Sequence, residues 1–264
     1  MRPESIASQP AVSLFANTTT PMPPGSQMRL ISRQASVIPA SNHTAFFSRY
    51  IDDVPAAAIP KHRAWIPDRL NFFVVAYNTS KVRKEELPTS YRGFADPKWR
   101  GRIGIEATDA EWMATLVKLW GDEGVQYFRK LSAMKPDMRK GHVLLAQLVA
   151  SGEIPVALSA YQSNAESLKR KGAPIDWMPM QPVVARTQGI AIAKNAPHPK
   201  EAAAFVDFVL SPEGQALLDS MGRTPVSIRV PTSIGRFDYT VVDPVTVLDE
   251  QDKWEKIWQG LFLK

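Results

Sequence analysis

The sequence predicts an α/β protein in which helices alternate with the strands of a mostly parallel sheet. Short apolar runs typical of buried strands alternate with longer segments whose apolar residues recur every three or four positions, as in amphipathic helices. The chain has 264 residues, of which 44% are hydrophobic and 22% are charged. This is an ordinary globular balance, and the length suits one large domain or two lobes.

The first clear unit is a strand followed by a helix. Asn71–Ala76 is rich in Phe and Val and is predicted as a buried strand, and Ile103–Glu106 is predicted as a second strand. The segment Thr108–Glu111 then fits a capping box, with Thr108 at the helix start and Glu111 bonding back to it. The helix is predicted from apolar residues at helical spacing: Met113, Leu116, Val117 and Trp120.

The alternation continues to the end of the chain. Further helices are predicted through Val125–Leu131, over Gly141–Ala150 and over Ala165–Lys171, and further strands over Ile154–Leu158 and Gly189–Ala193. Asn195–Val226 predicts two more helices, whose boundaries are marked by Pro199, Ser211, Pro212 and Gly222. Near the C-terminus, Trp254 and Trp258 are separated by four positions, as on one face of a helix.

The composition excludes several kinds of site. Cys is absent, which removes disulfides, thiolate nucleophiles and cysteine-ligated metals. No apolar run approaches the roughly 18 residues that a membrane-spanning helix needs. The four His residues are far apart in sequence and lack the spacing of a metal motif, so we interpret them as surface or capping residues and expect no metal site among them. They are His43, His62, His142 and His198.

The net charge of +6 raises the question of a nucleic-acid partner. The clusters of Lys and Arg are small, lie close to Glu and Asp, and carry no interleaved aromatic residues for base stacking. We therefore expect no nucleic-acid partner. The same charge is compatible with steering an anionic small ligand towards the protein.

The segment Met1–Ala45 differs from the rest of the chain. Ser, Thr, Pro, Asn and Gln dominate it, and its apolar residues follow neither the strand nor the helix period. We predict a poorly ordered leader. Its one apolar patch, Ala11–Ala16, is short for the core of a secretory signal, so no export signal is recognised.

Several motifs together resemble a known family. Residues 195–226 read NAPHPKEAAAFVDFVLSPEGQALLDSMGRTPV, and four earlier motifs keep the family's order: Phe73–Thr79, Trp99–Ile105, Gly152–Leu158 and Lys171–Pro174. The chain resembles the periplasmic solute-binding proteins that serve ABC importers, and the iron(III)-type branch is the nearest likeness. The resemblance spans most of the chain, from Tyr50 to Val230.

The resemblance implies a two-lobe fold, the type II periplasmic-binding-protein fold. We expect one incomplete lobe from residues 46–79 and 189–232, and a second lobe with the hinge from residues 80–188. The chain is expected to cross between them near Val74–Thr79 and Val184–Ile190. Residues 233–264 are expected to form a C-terminal extension packed on the incomplete lobe. The family's opening strands are not recognised, which suggests the hypothesis of an N-terminally truncated chain.

The resemblance also implies a function. We expect a periplasmic, monomeric protein that needs no cofactor, captures a small solute and delivers it to an ABC permease in the membrane. The solute would bridge both lobes and stabilise the closed form.

The first candidate for the solute site follows the strand Ile103–Glu106. In open α/β sheets ligands lie beyond the carboxyl ends of strands, where helix N-termini present free N–H groups. Thr108 and the backbone suit an anion, Asp109 suits a cation, and Trp112 could provide a stacking wall. The alternative is that Thr108 is only a helix cap and Trp112 is only a core residue.

The second candidate is the predicted loop Ser159–Asn164. Tyr161 could form hydrogen bonds or, as a phenolate, bind a hard cation, while Gln162 and Asn164 add neutral polar groups. In the iron-binding proteins that the sequence resembles, two adjacent tyrosines lie in this loop. Here Gln162 follows the single Tyr161. The sequence therefore favours a small organic or anionic solute over ferric iron.

The third candidate is Arg186 at the second crossing, which could pair with a carboxylate or phosphonate. The alternative is a solvated arginine in a hinge loop. Arg139 and Lys140 are further candidates.

Motifs for catalysis are absent from the sequence. It contains no G-x-S-x-G, no P-loop and no G-x-G-x-x-G, so we expect a binding protein and not an enzyme. Two alternatives remain open: an enzyme on the same scaffold, and a truncated product that binds nothing.

Overall fold

The structure, a computed structural model, describes residues 47–61, 63–235, 237–243 and 249–263. The predicted leader Met1–Ala45, which includes His43, lies outside the described residues, as does His62. Within the described ranges, no helix has the length and apolar character required to cross a membrane.

Helices and strands alternate along most of the chain. The strands are β1 (Ile66–Asn78), β2 (Ile103–Glu106), β3 (Asp137–Arg139), β4 (Val156–Tyr161), β5 (Ile175–Met178), β6 (Val183–Ile190), β7 (Thr224–Pro225) and β8 (Tyr239–Val241). The α-helices are α1 (Ala110–Trp120), α2 (Asp122–Ala133), α3 (His142–Ser151), α4 (Gln162–Arg170), α5 (Pro199–Leu210), α6 (Pro212–Ser220) and α7 (Gln251–Phe262). The predicted helices are therefore confirmed, with boundaries shifted by a few residues.

The strands form one sheet in the order β3-β2-β4-β1-β6-β8, and β5 and β7 also pair with β1. The pairs β2–β3, β2–β4 and β6–β8 are parallel. In contrast, β1 runs antiparallel to β4, β5, β6 and β7. The sheet is thus mixed where the sequence predicted a mostly parallel one, because a single long strand opposes all four of its partners.

Strand β1 connects two groups of strands. Its first half pairs with β6 and β7, and its second half pairs with β4 and β5. The predicted crossing segments Val74–Thr79 and Val184–Ile190 lie largely in β1 and β6, which pair directly with each other. The strand predicted at Gly189–Ala193 is wrong by several residues, because β6 begins at Val183 and ends at Ile190.

Buried apolar side chains form three clusters around the sheet. The largest cluster joins α1, α2 and α7 to the second half of β1 and to β2. A second cluster joins α5 to β6 and the first half of β1. A third cluster joins α3 and α4 to β4. Burying a large apolar side chain contributes about 1.5–3 kcal/mol, so these clusters hold the strand ends in fixed positions.

The motif Ser211–Gln215 has a direct structural explanation. The Ser211 hydroxyl accepts a hydrogen bond from the Gly214 N–H at 3.1 Å, which confirms the predicted cap of α6. A Cβ on Gly214 would lie 2.1 Å from the carbonyl oxygen of Phe208, so only glycine fits this close turn between helices.

Gln215 ties this helix to the sheet. Its side chain is fully buried, and the amide donates to the carbonyl oxygens of Asp68 and Val209, both at 2.9 Å. Its oxygen accepts from the N–H groups of Val226 and Ser227 at 2.8 and 3.0 Å. All the hydrogen-bonding positions of this buried amide are thus used.

Helix α7 packs in a different place from the one predicted. The sequence analysis placed the C-terminal extension on residues 46–79 and 189–232, but Trp254 and Trp258 are buried in the cluster with α1 and α2. The Trp258 indole N–H donates to the carbonyl oxygen of Ala107 at 2.8 Å. The helical spacing was predicted correctly, but the surface it covers depends on contacts distant in sequence.

Candidate functional site

Charged and aromatic side chains converge where β2 and β4 end and α1, α3 and α4 begin. Glu106 ends β2, Asp109 precedes α1, His142 begins α3, and Tyr161 ends β4 directly before α4. Arg186 approaches from the middle of β6. We call these five residues the strand-end cluster. It lies at the carboxyl ends of the two parallel strands, the position predicted for a ligand in an α/β sheet.

Glu106 is held by the peptide groups around it. Its Oε2 accepts from the Thr108 N–H at 2.5 Å and from the Thr108 hydroxyl at 2.7 Å. Its Oε1 accepts from the Gly141 N–H at 2.8 Å, at the start of α3. The carboxylate therefore has a fixed orientation, although the Glu106 side chain is buried.

Asp109 is the most unusual residue of the cluster. It is 1% exposed, and neither of its carboxylate oxygens has a hydrogen-bond partner among the described residues. Its Oδ1 lies 3.2 Å from Nε2 of His142, without the geometry of a hydrogen bond. A buried carboxylate without donors is energetically costly, since an ion normally enters a protein interior only when it is paired.

The His142 ring is fixed on two sides. Its Nδ1 lies 3.1 Å from the carbonyl oxygen of Ser159, and because that oxygen can only accept, Nδ1 carries the hydrogen. Its ring stacks on Tyr161 with 3.5 Å between the ring centres and an angle of 17°. Nε2 therefore faces Asp109. One ligand atom each from Glu106, Asp109 and His142 lie within 4.8 Å of one another.

Arg186 connects Tyr161 to Glu111 of α1. Its Nη1 donates to the Tyr161 hydroxyl at 2.7 Å, and its Nε donates to Glu111 Oε1. Burial raises the pKa of Tyr161 well above its usual range; Arg186 opposes this, whereas Asp109 adds to it. Burial by itself lowers the pKa of Arg186, but Glu111 and Tyr161 outweigh it and raise that pKa. The phenol is thus held neutral and the guanidinium charged.

Two of the predicted roles near α1 are wrong. The capping box is not formed, because the helix is preceded by Asp109, Thr108 bonds to Glu106, and the Glu111 carboxylate pairs with Arg186. Trp112 is a core residue and not a ligand wall, since it is fully buried in edge contacts with Tyr91 and Phe128.

The segment Ser159–Asn164 is not a loop. Ser159–Tyr161 belong to β4, and α4 begins at Gln162 without an intervening turn. Arg186 is not solvated and does not lie in a loop, because it is 8% exposed and belongs to strand β6. Both errors share one cause: apolar periodicity does not reveal polar residues that a sheet buries.

His142 was missed by the sequence analysis, which interpreted it as a surface or capping residue. It lies 33 positions after Asp109, so no local spacing joins the two. By contrast, His198 is exposed, as expected. Of the further candidates, Lys140 is exposed, and Arg139 pairs with Asp137 and Glu153 away from the cluster.

A second, basic region surrounds the start of α4. Gln162 is fully buried, its Oε1 lies 3.4 Å from the Thr224 hydroxyl, and its Nε2 has no partner among the described residues. Arg223 reaches the Ser163 hydroxyl at 3.4 Å. Burial lowers the pKa of Arg223, and the nearby charge of Arg69 lowers it further. The guanidinium group of Arg223 therefore lies beside this helix N-terminus, and the nearby Arg69 is paired with Asp68.

One cavity lies away from the strand-end cluster. It has a volume of about 370 Å³ and is lined by residues that include Leu70, Phe72, Val226, Phe237 and Tyr239. None of the residues of the strand-end cluster lines it. The candidate site is thus identified by its buried polar groups, and this cavity is a separate feature of the fold.

The fold, with helix starts and strand ends meeting at one edge of the sheet, is that of an α/β protein of the periplasmic-binding type. The chain belongs to the family of bacterial extracellular solute-binding proteins, whose sequence pattern matches residues 29–238. The resemblance inferred from the motifs is confirmed, and so is the periplasmic class of protein that it implied.

The relatives and solved structures agree with this family. The major ferric iron-binding protein of Neisseria meningitidis serogroup A is 31% identical over 180 residues, which are 64% of this chain and 53% of the relative. The chain spans about half the length of the curated relatives it matches.

Two solved structures match the fold with 84% of this chain and 77% of the other chain covered, each at 24% identity. Iron-bound HitA from Pseudomonas aeruginosa gives a TM-score of 0.70. The periplasmic binding protein AfuA from Actinobacillus pleuropneumoniae, with exogenous fructose-6-phosphate bound, gives 0.72. The type II fold is confirmed, whereas the lobe boundaries and the incomplete lobe stay predictions.

Proposed function

We propose that the chain is the solute-binding component of an ABC importer and that its solute is a metal cation, with ferric iron favoured. The family supports the first statement, and a relative named for ferric iron binding supports the second. The sequence analysis favoured an organic or anionic solute because only Tyr161 is present where two tyrosines were expected. The buried carboxylates shift that preference, since they attract a cation.

One observation supports the cation above the others. Asp109 is buried with both carboxylate oxygens unpaired, close to the carboxylate of Glu106. Arg186 pairs with Glu111 and also lies near Asp109, so its one positive charge faces more than one carboxylate. A bound cation would compensate the excess negative charge, whereas an anion entering the cluster would increase the repulsion.

In the proposed transport step, the ion first binds at the strand ends of residues 80–188. Residues 46–79 and 189–232 then close over it, and β1 and β6 bend as the hinge between the two lobes. The closed form accumulates because it binds the ion more tightly than the open form does. The membrane permease of the importer is the proposed partner that recognises the closed form.

A thermal unfolding experiment on the full chain tests this proposal. After treatment with a chelator, the protein is titrated with ferric citrate, and citrate alone serves as the control. A ligand at 100 times its Kd stabilises the folded state by about 2.7 kcal/mol, so the melting temperature rises with iron concentration. A melting temperature that does not respond to ferric citrate contradicts a ferric iron solute.

The basic region at α4 supports a second candidate, an anionic organic solute. The unpaired Nε2 of Gln162 and the nearby Arg69 and Arg223 suit a phosphate or carboxylate group. AfuA, which has the same fold, carries fructose-6-phosphate in its solved structure. Titration with fructose-6-phosphate in parallel with ferric citrate separates the candidates, and recovery of unchanged sugar phosphate afterwards excludes turnover of that compound.

A further inference from the structure

The strand-end cluster contains a specific set of metal ligands, and the argument for it rests on the proposed metal solute. We infer that the ion is bound by Glu106, Asp109 and Nε2 of His142, and that the Tyr161 hydroxyl is not a ligand. The site would then use two carboxylates and one imidazole, all from the region 106–142.

The orientation of His142 is the first support. Because Nδ1 carries a hydrogen and faces the Ser159 carbonyl oxygen, a neutral ring presents its lone pair from Nε2. Nε2 lies 3.2 Å from Oδ1 of Asp109, so with a neutral ring two acceptor atoms face each other. A metal ion resolves this repulsion by binding both atoms. Metal-bound histidines commonly donate their other ring hydrogen to a backbone carbonyl, as here.

The environment of Glu106 is the second support. Hydrogen bonds from Thr108 and Gly141 hold the carboxylate in place, yet each carboxylate oxygen has lone pairs remaining for a metal. Ligating carboxylates are typically held by such outer hydrogen bonds. Asp109, in contrast, has no hydrogen bonds to exchange, so the ion would satisfy a group that the protein itself leaves unpaired.

The geometry of Tyr161 argues against a phenolate ligand. Its hydroxyl oxygen lies 2.7 Å from Nη1 of Arg186, which donates to it. A metal on the same oxygen would place a second positive charge close to a buried guanidinium, and like charges at such distances repel strongly in a protein interior. The ring instead supports the imidazole face by stacking.

This ligand set points to a class of ion. Imidazole and carboxylate together suit first-row transition metals such as iron, manganese or zinc, whereas magnesium and calcium prefer oxygen ligands alone. Three protein ligands leave coordination positions for water or for a chelating anion. Of the three inferred ligands, His142 is the most exposed, at 13% of its side chain, and the exposed Thr108 lies beside Glu106 and Asp109 in the sequence.

Equilibrium binding of ferric citrate to the full chain and its variants tests the ligand set. Asp109→Asn and His142→Gln should each lower the affinity by more than the roughly 10–100-fold caused by loss of an outer partner. Tyr161→Phe should lower the affinity by less than either ligand variant, because it removes an outer hydrogen bond and keeps the ring that stacks on His142. Glu153→Gln and His198→Gln change an exposed carboxylate and an exposed histidine, and should have no effect.

The visible spectrum gives a second readout that does not depend on the folding of the ligand variants. Ferric iron bound to a phenolate absorbs visible light by charge transfer from the ring, so the iron-loaded wild type should lack such a band. A tyrosinate band that disappears in Tyr161→Phe, or unchanged affinity in Asp109→Asn and His142→Gln, would overturn the ligand set while leaving a ferric solute in place. If the wild type does not bind ferric iron at all, the proposed function fails as well.

Discussion

Replacing Asp109 by Asn should stabilise the metal-free protein. The carboxylate is 1% exposed and has no hydrogen-bond donor among the described residues, so the folded state carries the cost of an unpaired buried group. That cost is typically about 1–3 kcal/mol. An amide at the same position removes the charge, and its NH2 group can donate to Nε2 of His142, which now lies 3.2 Å from Oδ1. One amide oxygen remains unpaired, so we expect a net gain of about 1–2 kcal/mol.

The assay is thermal unfolding in the presence of a metal chelator. One kcal/mol raises the melting temperature of a domain of this size by about 2–4 °C, so a gain of about 1–2 kcal/mol gives an increase of roughly 2–8 °C. Asp52→Asn, which changes an exposed carboxylate, serves as the matched control and should leave the melting temperature nearly unchanged. A lower melting temperature for Asp109→Asn would refute the reasoning, because it would show that the carboxylate stabilises the folded state through a partner.

Three further predictions concern the packing of the fold. Glu111→Gln should destabilise the protein by about 3–5 kcal/mol in urea unfolding, because it leaves Arg186 buried without its carboxylate partner. The double variant with Arg186→Met should recover much of this stability. Equal stability of the single and the double variant would contradict the prediction. Gln215→Leu should lower the free energy of unfolding by at least about 2 kcal/mol in the same assay, because it leaves buried backbone groups unpaired. An unchanged free energy of unfolding would show that water replaces the amide. A hydrogen bond from Lys118 lowers the pKa of Glu250 from 4.5 to about 2. The resulting stabilisation is therefore complete above about pH 4.5 and is lost as the pH falls towards 2. Glu250→Gln should make the free energy of unfolding less dependent on pH in this range. An unchanged pH dependence in the variant would argue against the pairing of Glu250 with Lys118.

Local patterns in the sequence predicted the elements that depend on local chemistry. The apolar spacing of Met113, Leu116 and Val117 identified α1, and Ser211 and Pro212 marked the start of α6. Such signals need only neighbours on the same helix. The same reasoning failed for Glu111, whose partner Arg186 is 75 positions away, because the capping box competes with an ion pair that is formed only in the folded sheet.

The site was predicted in part for the same reason. Thr108, Asp109 and Tyr161 were chosen because strand ends attract ligands in this type of fold, and Asp109 and Tyr161 do meet in one cluster. His142 could not be found from spacing, since α3 brings it to Asp109 from a separate part of the chain. One usable signal was present: His142 opens a predicted helix, and helix starts cluster at the same edge as the strand ends.

The hydrogen bond from Trp258 to Ala107 has a consequence for the order of folding. Ala107 lies between Glu106 and Thr108, whose N–H group holds the Glu106 carboxylate. This backbone segment is therefore hydrogen-bonded to a residue of α7 that lies 151 positions further along the chain. Contacts this distant in sequence form late, because the intervening chain must first be ordered. Until Trp258 is in place, the backbone between Glu106 and Thr108 therefore lacks this anchor, and the orientation of the Glu106 carboxylate is among the last features of the fold to be fixed.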